Sequence, residues 1–155
     1  MQPITESLEE LVPHRGKMSL LSRVLSYDAD ESSLLAEVDI LQNSFFYDNN
    51  LKGIPVWIGF EYMAQAIAAL SGKSDLAQGL IPGFGFILSV SNFIANVPHF
   101  ELNSTVSIYV KETLTLDKMF LFDCSIKQGD AELAKATVST VKIRDISEVQ
   151  NEGKF

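Results

Sequence analysis

The chain has 155 residues, 46% hydrophobic and 21% charged, with 12 basic against 20 acidic side chains and a net charge of -8. These values fit one globular domain spanning 1–155 and argue against nucleic-acid binding, which needs clustered lysines and arginines to displace counterions. The single cysteine, Cys124, excludes an intrachain disulfide and a thiolate metal site.

Leu8 and Leu11, three apart among acidic residues, predict a short helix over 5–11 that ends before Pro13. This acidic start lacks the basic segment and apolar middle of an export signal, so the cytoplasm is the expected compartment. Met18 to Tyr27 and Ser33 to Ile40 are rich in Leu and Val and flank the acidic run Asp28-Ala29-Asp30-Glu31, which predicts two antiparallel strands joined by a turn. Asn43 to Lys52 mixes turn residues with Phe45, Phe46 and Tyr47 and reads as an irregular loop with an apolar anchor.

One long helix is predicted from Trp57 to about Leu76, polar only at Glu61 and Gln65 before Ser71. A helix apolar on nearly every face must be enclosed by other structure. The same two residues interrupt the longest apolar run, so no segment is expected to span a membrane. Beyond the loop containing Pro82 and Gly83, strand-like patterns cover Phe86 to Val97, Ser104 to Leu116, Met119 to Lys127 and Ala131 to Ile143. Turns at Asn103, Asp117 and Gly129-Asp130 separate them, and the polar tail is expected to fray over 146–155. The sum is an α+β architecture in which a curved antiparallel sheet of about six strands wraps one central helix.

Glu61 stands out within this pattern. A carboxyl group among such apolar neighbours is costly unless satisfied, and burial disfavours its ionised form, as suits proton transfer near neutrality. Cys124 reads as a small buried strand residue rather than a nucleophile, because no base lies near it in sequence. His99, in Val97-Pro98-His99-Phe100-Glu101, reads as a surface histidine in a loop between strands. No nucleotide-binding motif, catalytic triad or metal-ligand spacing is visible, and neither a cofactor nor a metal is expected.

Two stretches resemble the hotdog-fold 3-hydroxyacyl-acyl-carrier-protein dehydratases of the FabA/FabZ type. Leu11-Val12-Pro13-His14-Arg15-Gly16-Lys17-Met18-Ser19-Leu20-Leu21-Ser22-Arg23-Val24 is similar to that family's opening segment, and Pro55 to Gln65 is similar to the start of its helix, with proline six residues ahead of glutamate. The run Gly59-Phe60-Glu61-Tyr62-Met63-Ala64-Gln65-Ala66-Ile67-Ala68-Ala69, after a loop without histidine, more narrowly resembles the ApeP-like branch associated with aryl-polyene clusters.

The resemblance implies two-chain active sites in dimers that share a continuous sheet, acting on acyl-phosphopantetheine thioesters delivered by an acyl carrier protein. It makes Glu61 the catalytic acid and sets Gln65 one turn later, where it can orient that carboxyl group. Backbone N–H groups near Gly59, at the start of the Trp57 helix, become donors to the thioester carbonyl. The family's H-F-P-G histidine is missing, its position falling between Tyr47 and Asn49. Tyr47, Asp48 and Asn49 are therefore candidates for the vacated place, with Asp48 the best base. His14 lies in a Pro-His-Arg corner that the family uses structurally, yet any homomeric His-Glu mechanism must draw on it or on His99. A catalytically incomplete subunit that pairs with a histidine-bearing paralogue is one alternative, and an acyl-thioesterase is another.

Overall fold

The computed structural model describes residues 2–12, 18–80 and 84–143. Its strands are β1 (Gln2–Pro3), β2 (Arg23–Asp28), β3 (Ser33–Asp39), β4 (Gly53–Pro55), β5 (Phe84–Ala95), β6 (His99–Glu101), β7 (Thr105–Leu116), β8 (Met119–Gln128) and β9 (Ala131–Ile143). Its helices are α1 (Leu8–Leu11) and α2 (Gly59–Ala77), the latter preceded by a 3-10 turn at Val56–Ile58. Seven strands form one antiparallel sheet in the order β1-β2-β3-β7-β8-β9-β5, while β4 and β6 pair separately. The expected frayed tail over 146–155 lies outside the described residues.

Alternation along the strands decides which face meets the helix. Leu34, Val110, Cys124 and Ala136 stand opposite one another across β3, β7, β8 and β9, and Ala36, Ile108, Ile126 and Ala134 form the adjacent row. All eight are buried. Small residues in β9 bring the sheet close to α2, whose Tyr62, Met63, Ala66, Ala69 and Leu70 are buried. Burying each large apolar side chain contributes roughly 1.5–3 kcal/mol, so this enclosed face dominates the stability of the domain. Cys124 is within it, and burial pushes its thiol up to about 12, which makes it inert as expected.

Polar clamps hold α2 in place. Gln65 is 1% exposed, and its amide accepts from Leu20 N–H at 2.8 Å and donates to the Met18 carbonyl at 2.6 Å. Near the other end the buried Asp75 carboxylate accepts from Lys142 Nζ at 2.5 Å, tying the helix to β9. The helix stops at Gly79, whose φ of 73° is left-handed, with Gly79 N–H on the Leu76 carbonyl and Leu80 N–H on that of Asp75. Gly72 lets α1 approach, since a Cβ there would lie 2.4 Å from the Leu11 carbonyl oxygen.

Several boundaries differ from the sequence expectation. The helix expected over 5–11 is the single turn Leu8–Leu11, opened at Ser7 by a capping box in which Glu10 reaches back to the Ser7 N–H. The strand expected from Met18 starts at Arg23, because Met18 and Leu20 give their backbone groups to Gln65. His99 was expected in a loop and instead opens β6, with its neighbour Phe100 fully buried against Tyr62 at 5.7 Å between ring centroids. Among the described residues no helix is long and apolar enough to cross a membrane.

Two substitutions test these contacts. Gln65→Leu removes the partner of the Leu20 N–H and of the Met18 carbonyl, both in part-buried bonds, and should lower stability by about 1 kcal/mol or more in denaturant titration. An unchanged midpoint would show that the clamp is dispensable. Gly72→Ala should destabilise by about 1–3 kcal/mol even though alanine favours helix, because the new methyl meets backbone rather than a movable side chain. A raised melting temperature would contradict that packing.

Candidate active site

The loop from Leu41 to Lys52 delivers the chain to α2 through a tight bend. Asp48 N–H donates to the Gly53 carbonyl at 2.8 Å, and Lys52 between them has a left-handed φ of 53°. Asp48 Oδ1 accepts from Asn50 N–H at 2.8 Å and Leu51 N–H at 3.2 Å, an Asx turn that fixes the bend. Only Oδ2 of Asp48 is then unengaged among the described residues. Tyr47 is half-buried, with its N–H on the Ser44 carbonyl, and Asn49 is exposed.

Gly53–Pro55 next pairs with His99–Glu101, in the register Gly53↔Glu101, Ile54↔Phe100 and Pro55↔His99. Val56 N–H donates to the Pro98 carbonyl at 3.1 Å, which joins this small sheet to the 3-10 turn. Gly59 N–H closes that turn onto the carbonyls of Val56 and Trp57. Of the N–H groups near Gly59 expected as donors, that of Gly59 itself is hydrogen-bonded within the 3-10 turn ahead of α2. Its missing side chain serves packing, since a Cβ would lie 2.8 Å from Ile126 Cδ1 and 3.2 Å from Phe100 Cζ.

Glu61 is in the first turn of α2 and is half-buried within the single chain. Among the described residues it has no hydrogen-bond or ion-pair partner. Gln65 does not orient it, because both ends of that amide are committed to Met18 and Leu20. Nor does a hydrogen bond join Glu61 to Asp48 within one chain. Trp57, one turn before Glu61 on the same helical face, is 58% exposed. Together with Phe60, Val90 and Phe93 it lines an apolar cleft of ≈ 300 Å³. That volume is at the lower end for small-molecule sites, and the lining is apolar.

The sequence did not single out Phe60, Val90 or Phe93 as lining residues. Val90 and Phe93 flank irregularities in β5, where the pairing with β9 shifts between Ile87 and Ser89 and between Ser91 and Ile94, and Asn92 takes a left-handed φ of 53°. Such bulges re-aim side chains in ways that simple alternation does not reveal. His14 lies outside the described residues. No metal-binding cluster of His, Cys, Asp and Glu occurs among the described residues.

The family model described as ApeP-like, ApeP dehydratase, matches residues 6–151. A 3-hydroxyacyl-[acyl-carrier-protein] dehydratase FabZ of Chlamydia trachomatis serovar L2 is 31% identical over 70 residues, 43% of this chain and 46% of the relative. The chain thus spans about half the length of the curated relatives it matches. A chain of the dehydratase heterocomplex ApeI:P from Xenorhabdus doucetiae superposes with a TM-score of 0.87 at 22% identity, covering 97% of this chain and 100% of that one. A hypothetical thioesterase with coenzyme A from Streptococcus pneumoniae superposes with a TM-score of 0.58 at 15% identity, covering 79% and 87%. The fold is the hotdog fold, and the chain belongs to the ApeP-like dehydratase family.

Proposed function

We propose that this chain is a dehydratase that eliminates water from 3-hydroxyacyl thioesters carried on the phosphopantetheine arm of an acyl carrier protein, with Glu61 as the acid. The observation that carries this reading is the unpartnered, half-buried Glu61, next in sequence to Phe60 and four residues after Trp57, both of which line the apolar cleft, on the helix start that the family model covers. Glu61 protonates the departing hydroxyl, the Cα proton leaves to a base, and its C–H electron pair becomes the new double bond as water departs. Trp57, Phe60, Val90 and Phe93 hold the acyl chain and exclude water from the breaking bond. Asp48, through Oδ2, and His14 remain the candidates for proton removal, with Tyr47 and Asn49 lining the approach to the site.

The active unit is an assembly of two hotdog chains. At the β5 end of the sheet no strand follows among the described residues, and Ile87, Val90 and Ile94 are exposed on β5. An uncovered edge of this length invites pairing with another chain. General acid catalysis contributes about 100- to 10,000-fold, so Glu61→Gln should lower kcat by that factor while leaving the melting temperature near that of wild type. Wild-type turnover of a 3-hydroxyacyl-carrier substrate by Glu61→Gln would refute the assignment, and free acid as the product would favour the thioesterase reading.

A second reading, a subunit working only beside a histidine-bearing relative, is supported by the histidine-free loop Phe45 to Lys52 and by the heterocomplex among the similar structures. The lone chain should then be inactive and gain turnover when a histidine-bearing hotdog dehydratase is added, with that gain abolished by Glu61→Gln. Full activity of the lone chain in a steady-state assay would exclude it.

A further inference from the structure

His99 is the one described residue with a side-chain nitrogen that is wholly enclosed and has no partner: Nδ1 is buried and makes no hydrogen bond. Pairing across the small sheet puts Asp48, Gly53 and Glu101 on one rung with their side-chain positions on one face, and His99, two residues before Glu101, shares that face. Gly53 leaves the space that the imidazole fills, since a Cβ on Gly53 would lie 2.8 Å from His99 Cδ2. The ring is on the face of the strand pair opposite the buried Ile54 and Phe100, and the Val56 N–H to Pro98 carbonyl bond, next to His99 in sequence, joins the strand pair to the turn bearing Trp57.

The enclosed nitrogen decides what the ring can offer. A buried N–H without an acceptor is rarer and costlier than a bare lone pair, so the neutral ring is the tautomer with its N–H at Nε2. The residue is half-exposed, and Nε2 has no partner among the described residues. His99 thus presents a fixed, outward-facing N–H donor. The N–H of Gly59 is meanwhile hydrogen-bonded within the 3-10 turn.

We propose that His99 donates a hydrogen bond from Nε2 to the substrate's thioester carbonyl oxygen, stabilising the negative charge that develops there as the Cα proton leaves. The proposal rests on the dehydratase reading for its substrate, and the bond requires no net proton transfer by the ring: the C–H pair moves toward the carbonyl oxygen, and His99 holds that oxygen until the C–O bond breaks.

The test combines kinetics with carbonyl spectroscopy on the full chain, in whichever assembly turns over. Removing one such donor lowers kcat on the order of 100-fold or more, so His99→Ala should do so with KM little changed, and His99→Gln, which retains an N–H donor, should recover part of the loss. His99→Phe keeps a ring over Gly53 without a donor and replaces His99→Ala where the latter fails to fold. In parallel, a carbonyl-labelled 3-hydroxyacyl pantetheine thioester bound to Glu61→Gln should show its carbonyl stretch shifted to lower frequency, and the Glu61→Gln/His99→Phe chain should lose that shift. Unchanged kcat in both His99→Ala and His99→Phe, or a carbonyl stretch indifferent to His99, would overturn the proposal. A His99-dependent shift with no dehydration by wild type would uphold the carbonyl contact and sink the dehydratase reading instead.

Discussion

The cost of leaving a polar group unsatisfied inside an enclosed helix governs this molecule. Helix α2 packs on the sheet, and two polar side chains that it buries have partners: Gln65 takes two backbone groups ahead of β2, and Asp75 takes Lys142 from β9. The half-buried Lys73 reaches Glu6, whose carboxyl group is held below the usual range by that bond. Glu61 alone among the charged groups of the helix has no such contact in the described structure. Leaving a buried polar group unsatisfied costs about 1–3 kcal/mol, which is why Gln65 and Asp75 are paired, whereas the half-buried Glu61 keeps partial contact with solvent.

Much of the architecture was legible in the chain because it depends on periods. The long strands from Phe84 onward and the helix through Trp57 announce themselves by alternation and by an apolar run too long for a strand. What period cannot report is a contact between distant residues. Gln65 reads as a neighbour of Glu61 at helical spacing, yet its amide is spent on Met18 and Leu20, more than forty residues earlier. The three-residue strands β4 and β6 are too short for alternation to register, so His99 looked like a loop histidine. Gly59 looked like an open helix start because the extra 3-10 turn before it leaves no compositional trace.

The cleft and the free sheet edge are products of the same strand. The edge strand β5 supplies Val90 and Phe93 to the cleft and exposes Ile87 and Ile94, and its bulges set those directions. A chain that docked along β5 would cover the edge and deepen the cleft in one step. Assembly and substrate binding are then coupled through one element, and Glu61 would acquire its enclosure only when that edge is occupied.

The loop ahead of α2 carries the same logic to smaller scale. Without a histidine of its own, the segment from Tyr47 to Lys52 closes as an Asx turn whose hydrogen bonds hold Asp48 opposite Gly53. That rung requires glycine on its far side, because a Cβ at Gly53 would lie 2.1 Å from the Phe100 carbonyl oxygen, and the vacancy admits the imidazole of His99. The tight bend that pairs Asp48 with Gly53 thus ends at the residue whose missing side chain makes room for the His99 imidazole.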